Sequence, residues 1–264
     1  MSLAQQHAIS IRGRGETPMI FLHGYGCDQN MWRLMTPYFE PSHKVVLYDQ
    51  IGAGKSDVSA YDKAKYASLE GYADDLIAIC QVLALGPVVV VAHSVGCTIA
   101  LLAARRRPEL FDRLALVGPS PCYVNEGDYV GGFARNELDE MLEFLQINHA
   151  GWSARMAPVI MGHPERPELA AELEASFCRI DPTIAHEFAK ATFLSAHRAE
   201  LADVTTPTLI LQSDEDVVAP VTVGSYMHAV MPDSALVVLR SPGHCPHISA
   251  ADRVAAAILH YLAA

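Results

Sequence analysis

Val88-Val89-Val90-Val91-Ala92-His93-Ser94-Val95-Gly96-Cys97-Thr98-Ile99-Ala100-Leu101-Leu102-Ala103-Ala104 decides the fold. Four consecutive valines form a short β-branched run, the pattern of a strand covered on both faces. Residues 97–104 are uncharged and apolar, which suits a buried helix. Between the two stands Ala92-His93-Ser94-Val95-Gly96, a small-x-Ser-x-Gly pentapeptide. A strand-to-helix turn this tight has room only for small residues two places before and two after the serine, and it lifts the Ser94 Oγ clear of the sheet. The turn also gives Ser94 the positive end of the following helix. Ala92 stands where a glycine is usual, and one methyl group is tolerable there. The plainer alternative is that Ser94 only caps the helix.

Working outward, the strand pattern recurs in Met19-Ile20-Phe21-Leu22, Val45-Val46-Leu47-Tyr48, Leu114-Ala115-Leu116-Val117, Leu209-Ile210-Leu211 and Leu236-Val237-Val238-Leu239. Residues 7–11 alternate polar and apolar like an edge strand. Helical periods lie between these runs: Leu69, Tyr72, Ala73, Leu76, Ile79, Cys80 and Leu83 share one face, with Ser68 placed as N-cap. Residues 251–262, apolar at Val254, Ile258 and Leu262, read as a last covering helix. This alternation predicts an α/β fold with a doubly wound, mostly parallel sheet. It fails over residues 124–203, where every period is helical. Asn136 can cap a helix whose Leu138, Met141, Leu142 and Leu145 share a face, and further helices are predicted over 168–177 and 182–196. The expected organisation is one domain with an insertion, the core being 1–123 and 204–264 and the helical cap 124–203. So long an ordered insertion implies a lid or a binding role.

A chain of 264 residues buries about three quarters of its unfolded surface. The 19% charged and 51% apolar fractions set aside disordered, collagenous and disulfide-stapled classes. A formal charge of −11 repels phosphate backbones, so no nucleic-acid partner is expected. The one basic run, Arg105-Arg106-Arg107, falls at a helix end before Pro108, where it complements the helix dipole. Residues 1–16 lack the apolar core of a secretory signal. Residues 87–104 could imitate a membrane span, but His93, Ser94, Gly96 and Thr98 interrupt them, so no membrane association is expected. Six cysteines (Cys27, Cys80, Cys97, Cys122, Cys178, Cys245) include no C-x-x-C pair, which suggests reduced thiols and a cytoplasmic location.

A serine nucleophile needs a base. Pro242-Gly243-His244-Cys245-Pro246-His247 follows the last apolar strand, and His244 is reached directly from the strand end; His247 competes but begins the final helical segment. The imidazole needs an orienting acid. Asp214, Glu215 and Asp216 follow the 209–211 strand, and Asp216 is favoured because Val217-Val218-Ala219-Pro220 leads into the next helix; Asp214 remains the alternative. The order Ser94, Asp216, His244 is that of α/β-hydrolases. The backbone N–H groups of Val95 and, from the loop His23-Gly24-Tyr25-Gly26, of Tyr25 are the candidate oxyanion donors. Gly52-Ala53-Gly54-Lys55-Ser56 imitates a phosphate loop, but Asp49 stands where that motif needs glycine. His244, Cys245 and His247 have no second ligand group at a metal-like spacing, so no metal is expected. The chemistry expected is cofactor-free hydrolysis of a small apolar ester or lactone through a Ser94 acyl-enzyme.

The stretches His23-Gly24-Tyr25-Gly26-Cys27-Asp28-Gln29, Leu69-Glu70-Gly71-Tyr72, Gly118-Pro119-Ser120-Pro121-Cys122-Tyr123 and Gly131-Gly132-Phe133 resemble the family of the bacterial stress regulator RsbQ and the plant karrikin and strigolactone receptors. Ala189-Lys190-Ala191-Thr192-Phe193, Tyr226-Met227-His228 and Gly243-His244-Cys245-Pro246-His247 look closest to the RsbQ branch. The resemblance runs through nearly the whole chain. It implies an α/β-hydrolase fold with an inserted four-helix, V-shaped cap over an apolar pocket, and it assigns the same Ser94, Asp216 and His244. Carried over by position, the pocket would include Tyr25, Phe133, Trp152, Met156 and Phe193. Tyr25 and Met156 stand where the plant receptors often have phenylalanine. The resemblance further implies a signalling partner, a PAS-domain serine phosphatase of a stress response.

Overall fold

The valine run lies at the middle of a seven-stranded sheet in a computed structural model that describes residues 2–264; Met1 lies outside the described residues. The strands are β1 (Ser10–Arg12), β2 (Thr17–Leu22), β3 (His43–Leu47), β4 (Val88–His93), β5 (Phe111–Val117), β6 (Thr208–Glu215) and β7 (Ser234–Pro242). Their order is β1-β3-β2-β4-β5-β6-β7, with β1 antiparallel to β3 and every other pair parallel. All six residues of β4 are buried. Strict alternation divides the strand side chains between two cores: Ile20, Val46, Val88, Val90, Leu114 and Ile210 face one side, and Met19, Val45, Val89, Val91, Ala115 and Leu209 face the other. Helices α1 (Leu69–Val82) and α2 (Val95–Arg106) cover the first face, while Val254 and Ile258 of the last helix, Ala251–Ala263, join the second. Apolar runs without polar alternation are what a sheet covered on both faces requires.

Four helices stand between β5 and β6, namely α3 (Arg135–Ile147), α4 (His149–Met161), α5 (Pro167–Phe177) and α6 (Pro182–Phe193). These form the cap. Helix α4 has no counterpart among the helices predicted from periodicity; it contains both Gly151 and Pro158, residues that weaken a helical pattern. It forms all the same, capped by Asn148, whose Oδ1 accepts the Gly151 N–H at 2.8 Å, and stopped by Gly162 at φ 69.

Local signals moved several boundaries. Residues 7–9 are not strand: Ser2 and Gln5 form a reciprocal capping box for the turn Leu3–Gln6, and Ala8 at φ 47 redirects the chain before β1. Ser68 has the extended N-cap backbone but its side chain makes no capping bond. Asn136 lies inside α3; the N-cap is Ala134, whose N–H is taken by the Glu137 carboxylate at 2.6 Å. Helix α6 ends at Phe193 rather than 196, because Ala196 pairs with Cys122 and the His197 N–H donates to the Pro121 carbonyl on the way back to the core. Arg106 does more than oppose a dipole, pairing with both Glu70 and Asp74 of α1. Among the described residues no helix is long and apolar enough to cross a membrane.

Candidate active site

Ser94 sits between β4 and α2 at φ 55, ψ −127, a backbone conformation that non-glycine residues rarely adopt. Two bonds hold the strained turn: the Ser94 N–H donates to the Val117 carbonyl at 2.9 Å, and its carbonyl accepts the Cys97 N–H at 2.8 Å. Gly96 is required by sterics, since a Cβ there would stand 2.8 Å from the carbonyl oxygens of Leu22 and His23. Ala92 is fully buried in β4 and its methyl group is accommodated.

Asp216 and His244 reach the site from the loops after the carboxyl ends of β6 and β7, two and three strands along the sheet from β4. His244 Nε2 lies 2.8 Å from Ser94 Oγ, and His244 Nδ1 lies 2.7 Å from Asp216 Oδ2. A carboxylate only accepts, so Nδ1 carries the proton and Nε2 presents its lone pair to the serine hydroxyl. Asp216 is itself fixed, its Oδ1 accepting the N–H groups of Val218 at 2.8 Å and Ala219 at 3.1 Å. All three side chains are buried. Asp214 faces elsewhere and accepts the Ser241 N–H. His247 is buried against other rings, 4.8 Å from Trp32 and 4.2 Å from His93 between centroids, and burial holds its pKa down at about 3.

The loop after β2 passes directly over this group. A Cβ on Gly24 would lie 3.1 Å from the Ser94 Cβ and 2.6 Å from His93 Nδ1, so only glycine admits so close a crossing. Among the described residues neither the Tyr25 N–H nor the Val95 N–H donates to a protein acceptor. A developing oxyanion is stabilised by backbone N–H donors that the fold leaves unpaired in this way. The imitation phosphate loop is a side-chain-braced turn instead, Asp49 accepting the N–H groups of Gln29 and Lys55.

Above the serine, beneath the cap, lies an apolar cavity. Tyr25, Phe133, Trp152, Met156 and Phe193 all line it. Tyr25 anchors its roof: the ring meets Trp152, Phe177, Phe188 and Phe193 at centroid distances of 5.7–6.0 Å, and the hydroxyl donates to the Ala185 carbonyl of α6 at 3.1 Å. A phenylalanine at this position could not make that tie. Phe177, Leu173, Ile160, Val218, Cys27 and Cys245 also line the cavity. Sequence reasoning gave them no role, because an apolar residue facing a cavity has the same periodicity as one facing the core. Tyr123 likewise has no role legible in the sequence. Its hydroxyl is buried without a partner; burial pushes the phenol pKa up, opposed by the nearby Ser94 hydroxyl.

Comparison with known proteins agrees with this fold. Residues 19–257 match the model of the alpha/beta hydrolase family. A karrikin insensitive 2 receptor of Petunia hybrida is 34% identical over 98% of this chain and 96% of its own. A strigolactone esterase of Arabidopsis thaliana is 34% identical over 94% of each. The solved structure of a hydrolase from Oleispira antarctica superposes with a TM-score of 0.96 at 40% identity, covering 98% of this chain and 96% of that one. The chain thus belongs to the alpha/beta hydrolase family and is an enzyme of esterase type, with karrikin and strigolactone receptors among its relatives.

Proposed function

We propose that the protein hydrolyses a small apolar ester or lactone through a covalent Ser94 acyl-enzyme. The observation that carries the reading is the unbroken chain Ser94 Oγ, His244 and Asp216, at 2.8 and 2.7 Å, beneath an apolar cavity. In the first step Ser94 Oγ attacks the carbonyl carbon while His244 Nε2 takes its proton. Asp216 stabilises the imidazolium, and the Val95 and Tyr25 N–H groups stabilise the oxyanion. His244 then returns the proton to the leaving alkoxide. In the second half the same imidazole draws a proton from water, whose oxygen attacks the acyl carbon, and returns that proton to Ser94 Oγ as the acyl–Oγ bond breaks. For a lactone the leaving group stays tethered to the acyl chain, so one hydroxy acid is released. No cofactor enters these steps. The cavity is lined by apolar side chains, with Phe133, Trp152, Met156 and Phe193 as the contacts for the substrate. Within this reading residues 124–203 act as the cap and 1–123 with 204–264 as the catalytic core. Ser94→Ala, assayed on p-nitrophenyl acetate, is expected to lose about a millionfold in kcat. Retention of full activity would sink the mechanism.

The names of the relatives favour a second reading, in which hydrolysis serves a signal. The occupied cap would present a surface to a protein partner; by resemblance to the RsbQ branch, that partner is a PAS-domain serine phosphatase in a cytoplasmic stress response. Pull-down of such a phosphatase by wild-type protein with and without ligand tests it, and no capture in either state counts against it.

A further inference from the structure

His93 precedes the proposed nucleophile and stands beside it at the edge of the cavity, yet the residue is only 3% exposed. Its Nε2 lies 2.8 Å from the main-chain carbonyl oxygen of His244. A carbonyl can only accept, so Nε2 carries the proton and donates it. On the other side of the ring Nδ1 has no hydrogen-bond partner, and the backbone at Gly24 crosses so near that a Cβ would lie 2.6 Å away. One imidazole therefore touches all three segments that assemble the site: its own nucleophile turn, the loop that carries His244, and the loop that carries the Tyr25 N–H.

The His244 backbone is gripped from both sides. Its N–H donates to the Ile160 carbonyl of α4 at 2.8 Å, so one anchor belongs to the cap. Its carbonyl is held by His93, which is the anchor on the core side. The His244 side chain leaves the backbone between those anchors and must meet both Ser94 and Asp216. The rings of Trp32, His247, His93 and His244 follow one another at centroid distances of 4.8, 4.2 and 4.8 Å, a column that fixes the tilt of the His93 ring.

We propose that His93 is a positioning residue, donating its Nε2–H to the His244 carbonyl so that the base loop stays in the register where His244 Nε2 meets Ser94 Oγ. The proposal rests on the reading of Ser94 and His244 as nucleophile and base. The donor stays a single neutral N–H throughout: burial, then the neighbouring His247 and His244, hold the His93 pKa well below its ordinary value. A charged ring would have a second N–H with no acceptor at the Gly24 crossing. It would also repel the imidazolium that His244 becomes.

The test is steady-state kinetics on p-nitrophenyl acetate with His93→Phe, His93→Gln, His93→Asn and Ser94→Ala. Phenylalanine keeps a ring and loses the donor; glutamine carries an amide N–H out to the Nε2 position; asparagine is polar but too short to reach it. His93→Phe is expected to lose about 100-fold in kcat, the cost of a misplaced catalytic group. KM should stay within about threefold, because His93 is almost wholly buried and the apolar side chains that would hold the substrate are unchanged. His93→Gln should recover most of the loss and His93→Asn should not. If His93→Phe does not fold, the glutamine and asparagine pair decides. Wild-type kcat in His93→Phe, equal kcat in the glutamine and asparagine variants, or a loss confined to KM would each overturn the positioning role. Turnover retained by Ser94→Ala in the same assay would instead overturn the nucleophile reading.

Discussion

Lowering the pH should destabilise the fold through His247, a buried imidazole outside the proposed chemistry. In the unfolded chain an imidazole titrates near 6.5, whereas burial between Trp32 and His93 brings His247 down to about 3. Between those values the unfolded chain binds a proton that the folded chain refuses, so stability is complete above 6.5 and is lost as the pH falls toward 3. At 1.36 kcal/mol per pH unit, going from pH 7.5 to 5.0 costs about 2 kcal/mol through this side chain. The assay is urea unfolding at both pH values for wild type and His247→Phe, which keeps a ring in the column but cannot take a proton. The wild-type drop should exceed the variant's by about 2 kcal/mol, and subtraction removes both the other titrating groups and the pH-independent cost of the substitution. Equal drops would refute the reasoning, because they would mean that His247 titrates alike in the folded and unfolded chains.

Asp216→Asn should preserve folding yet lower kcat by about 10⁴-fold, as the amide would favour the wrong His244 tautomer; circular dichroism and ester turnover read the two effects. Trp152→Ala removes a fully buried ring packed on Tyr25 and Phe177, and should cost about 3–5 kcal/mol in urea unfolding while raising KM. Gly243→Ala and Gly127→Ala make a matched pair, both at positive φ (80 and 59). Only the first would place a Cβ 1.9 Å from the Met161 carbonyl oxygen, whereas the second meets nothing within 4 Å. Gly127→Ala should therefore cost only the strain of its φ, about 1–2 kcal/mol, and Gly243→Ala clearly more, with kcat falling because His244 follows it; equal melting temperatures would refute the contact.

What the chain alone determined is what depends on local period and chain order. The valine run, the small residues flanking Ser94, and Asp216 and His244 after successive later strands are all one-dimensional signals. They suffice because a doubly wound sheet brings the carboxyl ends of parallel strands together at one edge. The helices of the cap were legible only where periodicity was clean. Helix α4, with a glycine near its start and a proline near its end, forms because Asn148 caps it and the cavity buries Trp152, and neither effect has a sequence period. Only the tertiary structure decided between Asp216 and Asp214, through which carboxylate faces the imidazole. It likewise decided that Phe177 and Cys245 face the cavity, that the Tyr25 hydroxyl ties the loop after β2 to α6, and that His93 and His247 stack behind His244. These are contacts between residues up to about 160 positions apart, set by how helices pack across the sheet edge, and a periodicity of two or 3.6 carries no information at that range.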